Sequence, residues 1–184
     1  MISTISKNYN NKINVAGVIK NSLSNGPGMR YVLFVQGCSH HCEGCHNKHT
    51  WSFKENKLMT VNQIFEDIKK EIPLIEGVTF SGGEPFDQPK ELTILARKIK
   101  DELGLNVMSY TGYTYDQLKG CSMLRDCDST YKNQLLDTVD ILVDGKFEEN
   151  NQEGAHEWAG SANQNIYFLT KPTKESVIKK MKER

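Results

Sequence analysis

Three cysteines fall within eight residues, in the run Cys38-Ser39-His40-His41-Cys42-Glu43-Gly44-Cys45. Gaps of three and two residues let one loop curl its sulfurs around a common centre. Crowded thiolates repel one another unless a cation offsets their charge, so a metal site is the simplest reading. Zinc would complete its usual four-ligand set with His40, His41, His46 or His49. An iron–sulfur cluster usually takes four cysteines, and three with no clear fourth leave one iron open to a ligand that reacts. Reduced thiols holding no metal are the third reading, and spacing alone does not choose among them. The other two cysteines, Cys121 and Cys127, stand far along the chain. An odd count of five argues against a disulfide framework, and these two read as incidental or buried thiols.

A second constellation is Ser81-Gly82-Gly83-Glu84-Pro85. Alone it is a tight turn, because glycine and proline punctuate chains everywhere. Beside the cysteine loop it acquires a chemistry. Two glycines let backbone carbonyls approach a ligand with no Cβ in the way, and Glu84 supplies negative charge for an ammonium group. An open iron suits a chelating ligand and the acidic, carbonyl-rich turn suits an amine. An α-amino acid satisfies both.

Positioning these groups requires strand ends that share a rim. Ile13–Lys20 and Arg30–Gln36 read as strands around the turn-rich Ser24-Asn25-Gly26-Pro27-Gly28, and the cysteine loop follows the second. Thr60 opens a helix in a capping-box pattern with Gln63, and Val61, Ile64, Phe65, Ile68 and Ile72 recur on one helical face. Val78–Phe80 is a short strand leading into the glycine turn. A second helix begins near Asp87–Pro89 and buries Leu92, Leu95, Ala96, Ile99 and Leu103. Strands at Leu105–Tyr110, Val139–Val143 and Ile166–Leu169, a short helix at Tyr115–Lys119 and a terminal helix at Thr173–Lys182 complete the pattern. Glu148–His156 reads as a polar, mobile loop. Strand–helix alternation predicts an α/β fold with mostly parallel pairing. Ligands gather at the carboxyl ends of such strands. The cysteine loop, Ser81–Pro85, Tyr110–Gly112 and Asp144-Gly145 would therefore face one pocket.

At these residues the sequence resembles the radical S-adenosylmethionine enzymes, through the Cys-x3-Cys-x2-Cys loop and the Gly-Gly-Glu-Pro turn. Among them it is similar to the anaerobic ribonucleoside-triphosphate reductase activating proteins. The similarity runs from about Val15 to Leu169 and includes Asn25–Arg30, Gly44–Lys48 with Thr50-Trp51, Tyr110–Tyr113, Val139–Phe147, and Trp158 with Gly160-Ser161 and Asn163-Gln164. It implies a partial (open) β/α barrel, and a 4Fe-4S cluster on Cys38, Cys42 and Cys45 whose fourth iron binds S-adenosylmethionine. Gly44, Cys45 and His46 would touch that cofactor, and Gly82, Gly83 and Glu84 its methionine end. Many relatives carry an aromatic residue just before the last cysteine, where this chain has Gly44; His46 or Tyr110 is the candidate to stack on the adenine instead.

The implied activity is reductive cleavage of S-adenosylmethionine, followed by removal of an α-hydrogen from a glycine on the large subunit of the anaerobic reductase. An electron donor such as flavodoxin is implied as a second partner. Arg30 and the Asn25–Gly28 turn would help receive the glycine loop, against the plainer reading of a surface turn with a solvated arginine. His40 and His41 read as exposed loop residues, Asp144 as a turn former with a lesser claim on the ribose, and Trp158 as a core or interface aromatic. Two rival functions stay open: an activase for a glycyl-radical enzyme of the pyruvate formate-lyase type, and a non-catalytic zinc-binding interaction module.

Composition bounds the rest. The chain of 184 residues suits a single domain, with a polar extension at about 1–11. Its 23 basic and 23 acidic residues balance, which argues against a nucleic-acid binder relying on bulk positive potential. No apolar run approaches the roughly 20 residues of a membrane span, and Met1–Asn11 lacks the apolar stretch of a signal peptide. The expectation is a cytoplasmic protein with no membrane partner.

Overall fold

The structure, a computed structural model, describes residues 11–120 and 127–169. Seven strands form one open sheet in the order β3-β1-β2-β4-β5-β6-β7. They are β1 (Lys12–Ser22), β2 (Arg30–Val35), β3 (Lys57–Thr60), β4 (Gly77–Gly82), β5 (Asn106–Tyr110), β6 (Ile141–Asp144) and β7 (Asn165–Phe168). Helices α1 (Val61–Lys69), α2 (Pro89–Leu103), α3 (Tyr115–Gly120) and α4 (Cys127–Leu136) lie between them. The terminal helix expected at Thr173–Lys182 and the thiol of Cys121 lie outside the described residues.

The α/β class holds, but the expectation of mostly parallel strands does not. β2–β4, β4–β5 and β5–β6 are parallel, whereas β1–β2, β1–β3 and β6–β7 are antiparallel. Connection chemistry explains the split. Helical crossovers return the chain to the same end of the sheet and give parallel neighbours. The turn of residues 23–29 and the helix-free segment of residues 145–164 instead return it antiparallel. β3 and α4 had no clear periodic signal and were not anticipated.

Alternation along the strands sorts side chains to two faces. Tyr31, Leu33 and Val35 of β2, Val78 and Phe80 of β4, and Val107 of β5 join the main core with Ile64, Phe65 and Ile68 of α1 and Leu92, Leu95 and Ile99 of α2. Met108, Ile141 and Val143 belong to a separate small cluster with Trp158. Thr60 caps α1 as expected: its Oγ1 accepts from Gln63 N at 3.1 Å, and its own N–H donates to Gln63 Oε1 at 2.8 Å. Ile72 does not extend the apolar face. The helix ends at Lys69 and Ile72 is 40% exposed, because a residue preceding proline is driven out of the helical region. The helix α2 stops at Gly104, whose φ of +64° is cheap only for glycine.

Arg30 departs from both of its expected roles. It neither faces solvent nor waits for a partner loop; it is fully buried. Its Nε donates to Thr79 Oγ1 at 2.5 Å, Nη1 to the Pro27 carbonyl at 3.1 Å and Asn106 Oδ1 at 2.9 Å, and Nη2 to the Val78 carbonyl at 2.7 Å. Burial lowers its pKa to about 10, opposed by Tyr110, Asp140 and Glu76, so it stays charged near neutrality. Thr79 in turn donates to the Asn25 carbonyl at 2.8 Å. The guanidinium thus fastens the turn of residues 23–29 to β4 and β5. Arg30→Met orphans several buried acceptors at about 1–3 kcal/mol each. The expected loss is more than about 3 kcal/mol, read as a lowered urea midpoint at unchanged slope.

Candidate metal centre and cofactor site

The loop after β2 is built by pairing with its own downstream segment. Gly37 N–H donates to the Thr50 carbonyl at 2.7 Å and Cys38 N–H to the Trp51 carbonyl at 3.1 Å. The turn after β4 is stitched to the same loop, with Gly83 N–H on the Val35 carbonyl and Glu84 N–H on the Gly37 carbonyl, both at 2.8 Å. Gly82 has φ +96° and a Cβ there would lie 2.8 Å from the Phe34 backbone. A Cβ on Gly83 would run into the Gly37 carbonyl oxygen and reach within 2.8 Å of its carbon. Two glycines are therefore required by close backbone approach, whatever ligand follows.

A cavity of about 360 Å³ opens at the carboxyl ends of the parallel strands. Cys38, Cys42 and Cys45 line it together with Ser81 to Glu84, Tyr110 to Gly112, and Gly145. The four strand-end motifs expected to share a pocket do share one. Cys38 is buried, and Cys42 and Cys45 are half-buried. Burial pushes the Cys38 thiol up; the backbone N–H groups of His40 and His41 pull it back down, while Glu84 and Asp87 add to the rise. Asn47 N–H approaches Cys45 Sγ at 3.4 Å.

Glu84 is 1% exposed and its carboxylate is engaged on all sides. Oε1 accepts from Phe86 N–H at 2.8 Å and Thr111 Oγ1 at 2.9 Å, and Oε2 accepts from Gly112 N–H at 2.8 Å. His40 Nε2 lies 2.9 Å from Oε2, though off the line of a proper hydrogen bond. His40 is thus not the exposed residue expected. Its ring meets Tyr113 edge-on at 4.5 Å, and Tyr113 Oη donates to Asp87 Oδ1 at 3.1 Å while Ser39 N–H donates to Asp87 Oδ2 at 3.1 Å. The first half of the cysteine loop is clamped to the glycine turn. His41 is exposed, as expected, with an unusual φ of +48°.

Gly44, at φ +69°, faces Glu149, whose side chain would collide with a Cβ. No aromatic fits there without displacing Glu149. His46 is exposed and sits 4.9 Å from the Phe147 ring, and Phe147 lines the cavity beside it. Tyr110 is also on the wall; its hydroxyl donates to the Trp158 carbonyl at 2.8 Å, and burial raises its pKa to about 12 against the pull of Arg30. Trp158 is a core aromatic facing this cavity. Asp144 forms a turn, accepting from Tyr115 N–H at 2.6 Å and from Asn165 N–H at 3.1 Å. Nor is the segment of residues 148–156 a bare polar loop. Glu148 N–H donates to Ser161 Oγ at 3.1 Å, Asn151 N–H to the Glu148 carbonyl at 3.1 Å, and Ala162 N–H to the Asn151 carbonyl at 2.6 Å.

The donor set fits an iron–sulfur cluster. Three thiols line one wall, main-chain N–H groups point at two of the sulfurs, and one buried donor, Trp51 Nε1, has no hydrogen-bond partner among the described residues. Also among the described residues, no three ligating side chains are drawn into one coordination geometry. Trp51 and Phe147 stand in sequence only as members of segments that carry the resemblance, Thr111 only as part of the strand-end motif Tyr110–Gly112, and Asp87 only as a helix start; their individual contacts have no signature in the sequence.

The model of the 4Fe-4S single cluster domain matches residues 24–167. The anaerobic ribonucleoside-triphosphate reductase-activating protein of Pasteurella multocida is 37% identical over 155 residues, covering 79% of this chain and 91% of that one. The proteins of the same name from Escherichia coli K12 and Enterobacteria phage T4 are each 34% identical, covering 79% of this chain and 92% and 88% of theirs. Among solved structures, QueE from Escherichia coli overlaps 56% of this chain and 53% of its own at TM-score 0.40 and 19% identity. With a cluster-domain match across most of its length and relatives matched almost end to end, the chain belongs to the anaerobic ribonucleoside-triphosphate reductase-activating proteins.

Proposed function

We propose that this protein cleaves S-adenosylmethionine at a 4Fe-4S cluster and installs a glycyl radical on the large subunit of the anaerobic ribonucleoside-triphosphate reductase. The observation that carries the reading is the convergence of Cys38, Cys42 and Cys45 with Gly82, Gly83 and Glu84 on one cavity. When bound, the cluster supplies the electron that splits the sulfonium into methionine and a carbon radical, which takes an α-hydrogen from a glycine of the reductase.

The chain's own residues bind, orient and shield. Cys38, Cys42 and Cys45 would hold the cluster as thiolates, and with three ligands for four irons would leave one iron to the cofactor. The carbonyls of the Ser81–Gly83 turn take the ammonium, with the charge of Glu84 behind them. Glu84 itself fixes the turn to Thr111 and Gly112. Gly44, Cys45 and His46 form the opposite side of the cofactor site, where His46 and Phe147 offer an aromatic wall to the adenine. In this reading the open sheet is the partial barrel of the family, its strand ends forming the mouth that admits the glycine loop. A flavodoxin-type donor supplies the electron in the cytoplasm. No helix among the described residues is long and apolar enough to cross a membrane.

The test is anaerobic reconstitution with iron and sulfide, followed by reduction with S-adenosylmethionine and the reductase. The expected result is a brown protein, release of methionine, and a glycyl doublet in the electron paramagnetic resonance spectrum. A fully loaded, reducible cluster that leaves S-adenosylmethionine intact overturns the reading. A doublet on pyruvate formate-lyase but none on the reductase moves the activity to that partner, and a colourless protein with stoichiometric zinc makes it a binding module.

A further inference from the structure

We infer that the indole N–H of Trp51 donates a hydrogen bond to a sulfur of the cluster and biases it toward its reduced form. This rests on the reading that the cavity holds a 4Fe-4S cluster. Trp51 is brought alongside the first cysteine by its backbone, since its carbonyl accepts from Cys38 N–H at 3.1 Å while the neighbouring Thr50 carbonyl accepts from Gly37. Its ring is held by His41 of the cysteine loop, edge-on at 4.8 Å and 90°. The residue lines the same cavity as Cys38, Cys42 and Cys45.

The ring nitrogen is buried and has no hydrogen-bond partner among the described residues. An indole nitrogen can only donate, and a buried donor without an acceptor costs about 1–3 kcal/mol. Buried tryptophans ordinarily place this group on a partner. The cavity is where a partner would arrive, and the anionic groups that the three cysteines imply there are thiolates and bridging sulfides. A hydrogen bond to such a sulfur strengthens as the cluster gains an electron, so it raises the reduction potential. Trp51 is thus a positioning and tuning residue for the electron-transfer step rather than a ligand.

The experiment is a redox titration of the reconstituted protein, followed by electron paramagnetic resonance, with and without S-adenosylmethionine. Trp51→Phe is expected to shift the one-electron equilibrium about tenfold toward the oxidised cluster, equivalent to about 59 mV, at unchanged iron content. Should the phenylalanine variant fail to fold or load, 3-benzothienylalanine at position 51 retains the shape and removes only the N–H; it should give the same shift. In the unmodified protein an exchangeable proton coupled to the reduced cluster is expected in electron–nuclear double resonance, and its loss in the benzothienyl variant assigns it. An unchanged potential in a fully loaded variant overturns the inference. A shift seen only with S-adenosylmethionine present also overturns it, by placing the N–H on the cofactor. Failure of the unmodified protein to take up iron would instead be a failure of the underlying site reading.

Discussion

A Gly83→Ala protein is expected to fold less stably and to lose about 100-fold or more in S-adenosylmethionine cleavage. The added methyl meets backbone rather than a movable side chain. It lands on the Gly37 carbonyl oxygen and within 3.0 Å of the Val35 carbonyl oxygen, and those two carbonyls accept the hydrogen bonds that seat the turn, from Glu84 and Gly83 respectively. Relief requires the turn to move away from the cysteine loop, which separates the three cysteines from the groups proposed to receive the cofactor. Overpacking of this kind costs about 1–3 kcal/mol in stability, so the protein should remain folded and its cluster content should fall less than its turnover. Gly17→Ala is the control, because a methyl there has nothing within 4 Å. Activity per bound cluster, measured for both, checks the expectation; equal activity of Gly83→Ala and the parent would contradict it.

Glu84→Gln is expected to reduce both stability and iron retention, although it changes one atom. Each carboxylate oxygen accepts from a main-chain N–H, Oε1 from Phe86 and Oε2 from Gly112. An amide has one accepting end and one donating end, so in either orientation an N–H meets an N–H. Thr111 can turn its hydroxyl to accept, but the backbone cannot adapt. The lost contact costs about 1–3 kcal/mol and frees the anchor shared by the glycine turn, the Thr111-Gly112 loop and His40. The measurements are thermal midpoint, iron content after desalting and Kd for S-adenosylmethionine. A large fall in midpoint fits a strut; a weakened Kd at an unchanged midpoint would instead mean that the carboxylate contacts the ammonium directly.

What the sequence displayed is what repeats or punctuates. The capping box at Thr60 and Gln63, the apolar face of α1 and the burial of Leu92, Leu95 and Ile99 in α2 were all legible, because helical periodicity is local. So was the shared rim, because strand order in a parallel segment follows from helical crossovers. Antiparallel edges were not. A short strand such as β3 has four residues and no clear alternation, and its pairing with β1 is a long-range fact. Arg30 shows the same limit at a single side chain. Arginine is rarely buried without a carboxylate partner, and what removes it from water here is the convergence of Thr79, Pro27 and Asn106 from three separate segments. The burial of His40 has no local signal, because its neighbour Glu84 is 44 residues away in the chain and only the parallel pairing of β2 with β4 brings them together. In the site itself, residue types marked the candidate ligands, while the residues that hold them still carried no local signature.

The central claim is that three cysteines leave one iron of a four-iron cluster for the cofactor. Mössbauer spectroscopy of iron-57-reconstituted protein tests it most directly, recorded anaerobically before and after addition of S-adenosylmethionine. The account predicts four irons per chain, with one whose isomer shift rises when the cofactor binds and three that do not change. A spectrum identical in both samples, with every iron already in a fixed all-sulfur environment, would contradict it.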